Sequence, residues 1–256
     1  MTAIAPLSNL DETIIYPSSD GEPVAETYDH LYAIITILEV IRQYLAGRQA
    51  TVLADQFLYY SQGNPDLRVA PDVMVILDVA PGGRDNYKIW EEGQTPSIVF
   101  EITSPATKKN DQTTKQDLYQ TLGIQEYWLF DPKGEWLDGQ LQGYRLVQGQ
   151  YQQITDGRSR VLNLQLVVEG KLLGFYRQDT GEKLLIADEL AEALEAEVQA
   201  KQAEVRAKQE ALEQLQREQE RVKAEQERAD NLQALLARYQ EQFGTLDDSS
   251  AEADDR

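Results

Sequence analysis

The sequence predicts an α/β domain that runs on into one long C-terminal helix. Short apolar runs bounded by Gly, Pro or Asp recur at 71–79, 97–103 and 126–130, the signature of buried strands. Helix-patterned stretches at 26–46 and 111–122 alternate with them. From Ile186 to Phe243 the chain has neither Gly nor Pro, and Ala, Glu, Gln, Leu, Arg and Lys dominate, a strongly helix-forming composition.

In order, residues 1–20 read as a mobile lead-in with a short extended piece at Thr13–Tyr16, followed by turn chemistry at Ser18, Asp20, Gly21 and Pro23. A helix is expected from Glu26 to Ala46, stopped by Gly47, with Leu31, Ile34, Ile35, Leu38, Ile41 and Leu45 as its apolar stripe. His30 begins that stripe and reads as a partly exposed or capping residue. Glu39 reads as solvated, and Glu26 is open between solvent and a site. Thr51–Tyr60 alternates as one strand and Ser61–Asp66 is a turn. Pro81–Asn86 is a loop without the helix signal a phosphate cradle needs. Tyr87–Gly93 connects to the 97–103 strand. Ser104 and Asp111 read as turn and capping residues, and Tyr119, Tyr127 and Trp128 as core. Beyond Pro132, glycines at 134, 139, 143 and 149 punctuate short runs, which predicts antiparallel hairpins to about Tyr176.

Composition narrows the chemistry. There is no cysteine and only one histidine, so thiolate metal sites and multi-histidine zinc sites are excluded. The N-terminus lacks the features of a signal peptide, no apolar run approaches membrane-spanning length, and the expectation is a cytoplasmic protein. Net charge is −20, which argues against strong non-specific binding to long nucleic acid. Lys108, Lys109 and Lys115 are the clustered candidates for a local basic rim.

Asp72 opens the 71–79 run, and Glu101 sits behind Ile98, Val99 and Phe100. A carboxylate in so apolar a setting is costly unless paired, hydrogen-bonded or bound to a cation. Two nearby carboxylates can hold Mg²⁺ through hard oxygen ligands, and an ammonium beside them can stabilise developing negative charge. Lys115 supplies the ammonium, on the same helix side as Tyr119 by i,i+4 spacing.

The order Pro71-Asp72, Glu101-Ile102-Thr103-Ser104-Pro105, Asp111 with Lys115 and Tyr119, and Glu126-Tyr127-Trp128 with Asp131-Pro132 resembles the PD-(D/E)XK nuclease superfamily, and within it the Uma-two restriction endonuclease family, over roughly residues 14–180. The resemblance implies a restriction-endonuclease-like mixed sheet flanked by helices at 1–185. It implies Mg²⁺- or Mn²⁺-dependent DNA hydrolysis, with Asp72 and Glu101 as metal ligands, the Ile102 carbonyl as a further ligand, and Asp72, Glu101 and Lys115 as the catalytic set. Where the superfamily places lysine two residues after its second acid, this chain has Thr103, and the resemblance moves the lysine to position 115. Two other readings are a catalytically silent nucleic-acid-binding or regulatory domain on the same fold, and an assembly protein working through the C-terminal helix.

Residues 186–243 read as a coiled coil. Leu215, Val222, Ala229, Leu236 and Phe243 recur every seven residues, and Val198, Val205 and Leu212 recur on the alternate seam, which continues as Gln219, Gln226 and Gln233; Lys201 and Lys208 interrupt the first seam. The heptads predict a homodimer, drawn as a parallel pair, with folding back onto the same chain as the competing outcome. Residues 244–256 read as an acidic disordered tail.

Overall fold

The computed structural model describes residues 14–21, 26–104 and 108–244. The expected lead-in as far as Thr13, Pro23 of the expected turn, Pro105 and the acidic tail beyond Gly244 lie outside them. The chain divides into two compact units, 1–190 and 191–256.

The first unit opens with α1 (Tyr28–Tyr44), β1 (Ala50–Ala54), β2 (Leu58–Tyr59), β3 (Arg68–Val69), β4 (Val73–Leu77), β5 (Tyr87–Lys88), α2 (Ile89–Glu92) and β6 (Ile98–Ile102). A short α3 (Lys108–Asn110), a π-helical turn (Asp111–Lys115) and α4 (Gln116–Thr121) then run on from one another. Next come β7 (Glu126–Phe130), β8 (Leu141–Val147), β9 (Gln150–Ile154), β10 (Arg158–Ser159), β11 (Leu164–Glu169), β12 (Leu172–Arg177) and β13 (Lys183–Leu184).

The architecture is mixed α/β. The main sheet has strand order β1-β4-β6-β7-β8-β9, parallel only between β6 and β7, with the 108–121 helical segment as the crossover. A four-stranded sheet, β10-β11-β12-β13, and a small β3-β2-β5 sheet complete the unit. Val73, Val75, Ile98, Phe100, Ile102, Trp128 and Phe130 share one core with α1 and the second sheet. Met74, Ile76, Val99, Tyr127 and Leu129 share the other with Tyr119. The period-2 alternation of side chains along β4, β6 and β7 separates the two cores.

Several expectations need correction. Thr51–Tyr60 is two strands in two sheets, because the chain turns at Asp55, whose φ of 50° lies in the left-handed region. The buried residues of α1 are His30, Ala33, Ile34, Thr36, Ile37, Val40 and Ile41, while Leu31 and Ile35 are exposed. The helix packs on the β12 side of the sheet, which rotates its inner face away from the expected stripe. Gly143 is also needed for packing: a Cβ there would meet the Trp128 ring at 2.4 Å from its neighbour strand.

The long helix, α5, spans Ala187–Phe243, 57 residues, with no buried residue along it. No helix among the described residues is long and apolar enough to cross a membrane.

Candidate active site

Register brings the two acids together. β4 and β6 are antiparallel, with Val73 opposite Phe100 and Met74 opposite Val99; one step further along the same ladder, Asp72 faces Glu101. The Ile102 N–H donates to Asp72 Oδ2 at 2.5 Å. Parallel β7 beside β6 requires a crossover, and that crossover lays the π-turn and α4 over the face that carries Glu101. Lys115 Nζ thereby comes to 2.7 Å from Glu101 Oε2, and the Tyr119 hydroxyl donates to Glu101 Oε1 at 2.6 Å. Asp72, Glu101 and Lys115, far apart in sequence, meet in one cluster in which Glu101 is buried and the other two are partly so.

Asp111 joins them, contrary to its expected capping role. It is 1% exposed, and its Oδ1 lies 3.2 Å from Lys115 Nζ. This is an ion-pair approach only, since neither carboxylate oxygen has a hydrogen-bond partner. The π-turn starts at this residue and no side-chain cap forms there; the widened turn carries Asp111 inward instead of leaving it at a helix end. Such turns recur at functional sites. The spacing Asp111, Lys115, Tyr119 was visible as one helical face, and it is the signal that would have placed Asp111 in the cluster.

His30 is likewise buried, not partly exposed. Its Nε2 is 3.8 Å from Asp72 Oδ2 and its Nδ1 is 3.6 Å from Glu26 Oε2. Thr27, three residues before it, is the N-cap that accepts from the His30 N–H. Ser104 and Thr103 line a small cleft with Glu26, Asp29, His30, Asp131 and Trp136, and Thr103 Oγ1 is buried without a partner. The expected basic rim changes as well. Lys115 is drawn into the cluster and Lys109 is exposed, while the side chain of Lys108 lies outside the described residues.

The other buried acid of this sheet is structural. Glu126 is fully buried, pairs with Arg145 at 3.0 Å and accepts from the Arg160 N–H at 2.9 Å. Asp131 accepts from the N–H groups of Lys133, Gly134, Trp136 and Leu137 and so holds the turn after β7. Tyr127 packs in the core as expected and its hydroxyl donates to the Asp111 carbonyl.

The electrostatics of the cluster are those of too many acids for one ammonium. Burial pushes the Glu101 carboxyl up to about 8, with Asp72 and Asp111 adding to the rise and Lys115 opposing it. Burial also lifts Asp72 to about 7, opposed by Lys115 and by the Ile102 N–H. Burial alone would lower the Lys115 ammonium, but Glu101, Asp111 and Asp72 together drive it above the ordinary lysine value. Tyr119 is held well above the usual phenol range by burial and by Glu101. A further positive charge is therefore favoured here near neutral pH, whether protons or a cation. The donor set fits a hard divalent cation: two carboxylates on adjacent strands and main-chain carbonyls beside them. Among the described residues, no group of three or more Asp, Glu or His stands in an arrangement that would hold a metal on its own.

A crystal structure titled as a putative nuclease belonging to DUF820, from Anabaena variabilis ATCC 29413, shares 17% identity with this chain, with a TM-score of 0.41 over 63% of this chain and 80% of that one. No curated protein matches the chain. The sequence model of the Uma2 family, described as "Putative restriction endonuclease", matches residues 5–175, which contain every member of the cluster. With two-thirds of its length matched in this way, the chain belongs to the Uma2 family.

Proposed function

We propose that the protein is a Mg²⁺- or Mn²⁺-dependent endonuclease that hydrolyses phosphodiester bonds in DNA at the Asp72–Glu101–Lys115 cluster. The observation that carries this reading is the convergence of two acids from adjacent strands with one lysine from the crossover helix. Asp72 and Glu101, with the Ile102 carbonyl, would hold the cation. When bound, it would relieve charge at the phosphorus and acidify a water.

The chain's own groups supply the rest. Tyr119 and Lys115 take one oxygen each of Glu101, which fixes the plane of that carboxylate. The Ile102 N–H fixes Asp72 in the same way. Lys115, with its pKa raised, stays protonated and acts as a fixed positive charge beside the developing oxyanion, not as a base. A membrane partner is not part of this reading. The helix α5 pairs with a copy of itself, which makes the working enzyme a homodimer.

Manganese titration followed by electron paramagnetic resonance tests the site. One tightly bound Mn²⁺ per chain is expected, lost in Asp72→Asn. Wild type that leaves all its Mn²⁺ free, or an Asp72→Asn variant that binds as well as wild type, would overturn the reading.

A further inference from the structure

Along α5 the seam residues are exposed, from 45% at Val198 to 68% at Phe243. What covers them must match their length, their winding and their polar breaks. At about 1.5 Å per residue the 57-residue helix is roughly 85 Å long. A globular unit of this size is roughly 40 Å across, and the next longest described helix, α1, has 17 residues. A strict seven-residue repeat also drifts about 20° per heptad around a straight helix, so a flat surface cannot follow the stripe, whereas a second helix can supercoil with it. Over Ala187–Phe243 fourteen acidic residues stand against eight basic ones, which disfavours nucleic acid and anionic membrane. A second copy of α5 meets all three conditions.

We propose that two copies of α5 pair antiparallel, with the apolar first half of one seam packed on the apolar second half of the other. The inference rests on the homodimer reading above and adds its direction. One seam position reads Ala191, Val198, Val205, Leu212 and then Gln219, Gln226, Gln233. The other reads Leu194, Lys201, Lys208 and then Leu215, Val222, Ala229, Leu236, Phe243. The two seams are polar in opposite halves. In an antiparallel pair the two seam positions face each other, and a two-fold axis makes each facing pair occur twice. With residues 191–243 overlapping, centred at Arg217, Leu212 meets Val222 of the second copy, Val205 meets Ala229, Val198 meets Leu236 and Ala191 meets Phe243. Lys208 then meets Gln226, and Lys201 meets Gln233. Four facing pairs are wholly apolar and each lysine faces a neutral amide that can accept from it, while Leu215 faces Gln219 and Leu194 faces Gln240. A slip of one heptad toward the N-termini preserves this matching and sets Leu212 against Leu215, whereas the opposite slip sets Gln219 against Val222 and Gln226 against Leu215.

The parallel pair drawn from the heptads alone sets each residue against itself. Lys201 then faces Lys201 and Lys208 faces Lys208 inside the seam, with like charges opposed where water is excluded. It also stacks four layers of glutamine, at 219, 226, 233 and 240, at one end. The antiparallel arrangement places the first residues of the two helices at opposite ends of the pair.

The absence of cysteine makes the test direct. Ala196→Cys and Arg217→Cys lie on the outer face of the helix and leave both seams intact. Each full-length variant is spin-labelled and the distance between the two copies is measured by pulsed dipolar spectroscopy, with sedimentation of the same samples. The expected result is a dimer mass, a distance of roughly 20 Å to 30 Å at position 217, and one of roughly 60–70 Å at position 196. Short distances at both positions would show a parallel dimer and overturn the direction while leaving the dimer. A monomer mass with no dipolar signal at either position would overturn both.

Discussion

Lys115 Nζ lies 2.7 Å from Glu101 Oε2, although the two residues are fourteen positions apart and sit on different elements. The contact fastens the crossover helix to the strand that carries the acid. Removing the lysine leaves Glu101 and Asp111 buried without a cation, a loss of about 3–5 kcal/mol for a broken buried pair. Lys115→Ala is expected to unfold at correspondingly lower urea and to lose cleavage. Thr103 is two residues beyond Glu101 on the same strand face, so Thr103→Lys in the Lys115→Ala background is expected to recover part of the cleavage rate. A double variant as inactive as Lys115→Ala, with a normal unfolding midpoint, argues against a charge that acts by position alone.

Tyr119 was legible as a core residue, and the core is where it lies. Its second role was not legible, because a phenol that packs and a phenol that also donates to a buried acid have the same sequence signature. Asp72, Glu101 and Lys115 were legible because each breaks a local pattern: an acid at the edge of one apolar run, an acid inside another, and a lysine one turn before a buried tyrosine. His30 was misread because helical periodicity fixes which residues share a face but not the angle at which that face meets the sheet. The split at Asp55 was hidden for a related reason. The apolar alternation of 51–60 continues through it, and only a left-handed turn at a residue type that tolerates one shows the break.

Tyr119→Phe removes one donor and almost no volume. Glu101 Oε1 then remains buried with a lost partner, at a cost of about 1–3 kcal/mol. The expected outcome is a loss of stability of that order in urea unfolding without metal, and a slower cleavage rate at saturating Mg²⁺. Unchanged stability would mean that a water replaces the hydroxyl.

The pH dependence of stability follows from the raised carboxyls. Asp72 and Glu101 are shifted upward by burial, to about 7 and about 8. The folded protein therefore holds protons there that the unfolded chain has released, so this contribution is fully present below about pH 4 and is lost as the pH rises toward 8. The carboxyls of Glu92, Asp179 and Glu169 are shifted downward by their basic partners, and their contributions change only below the ordinary carboxylate range. Between pH 5.5 and 8.5 the metal-free protein is thus expected to lose stability, and added Mg²⁺ to restore more at pH 8.5 than at pH 5.5. Urea midpoints at the two pH values, with chelator and with Mg²⁺, check this. Glu101→Gln is expected to flatten the metal-free slope.

Plasmid cleavage by matched preparations of wild type and Glu101→Gln tests whether Asp72, Glu101 and Lys115 form a metal-dependent phosphodiesterase site. The substitution keeps the shape of the side chain and removes the charge that would hold the cation. Wild type is expected to nick or linearise supercoiled DNA in Mg²⁺ or Mn²⁺ and to stop when the metal is chelated. Glu101→Gln is expected to be slower by about 10²–10³-fold, the loss typical of removing one preorganised charged or polar contact from an active site. Cleavage by Glu101→Gln at the wild-type rate, or no cleavage by wild type with any divalent cation, would rule out catalysis at this cluster.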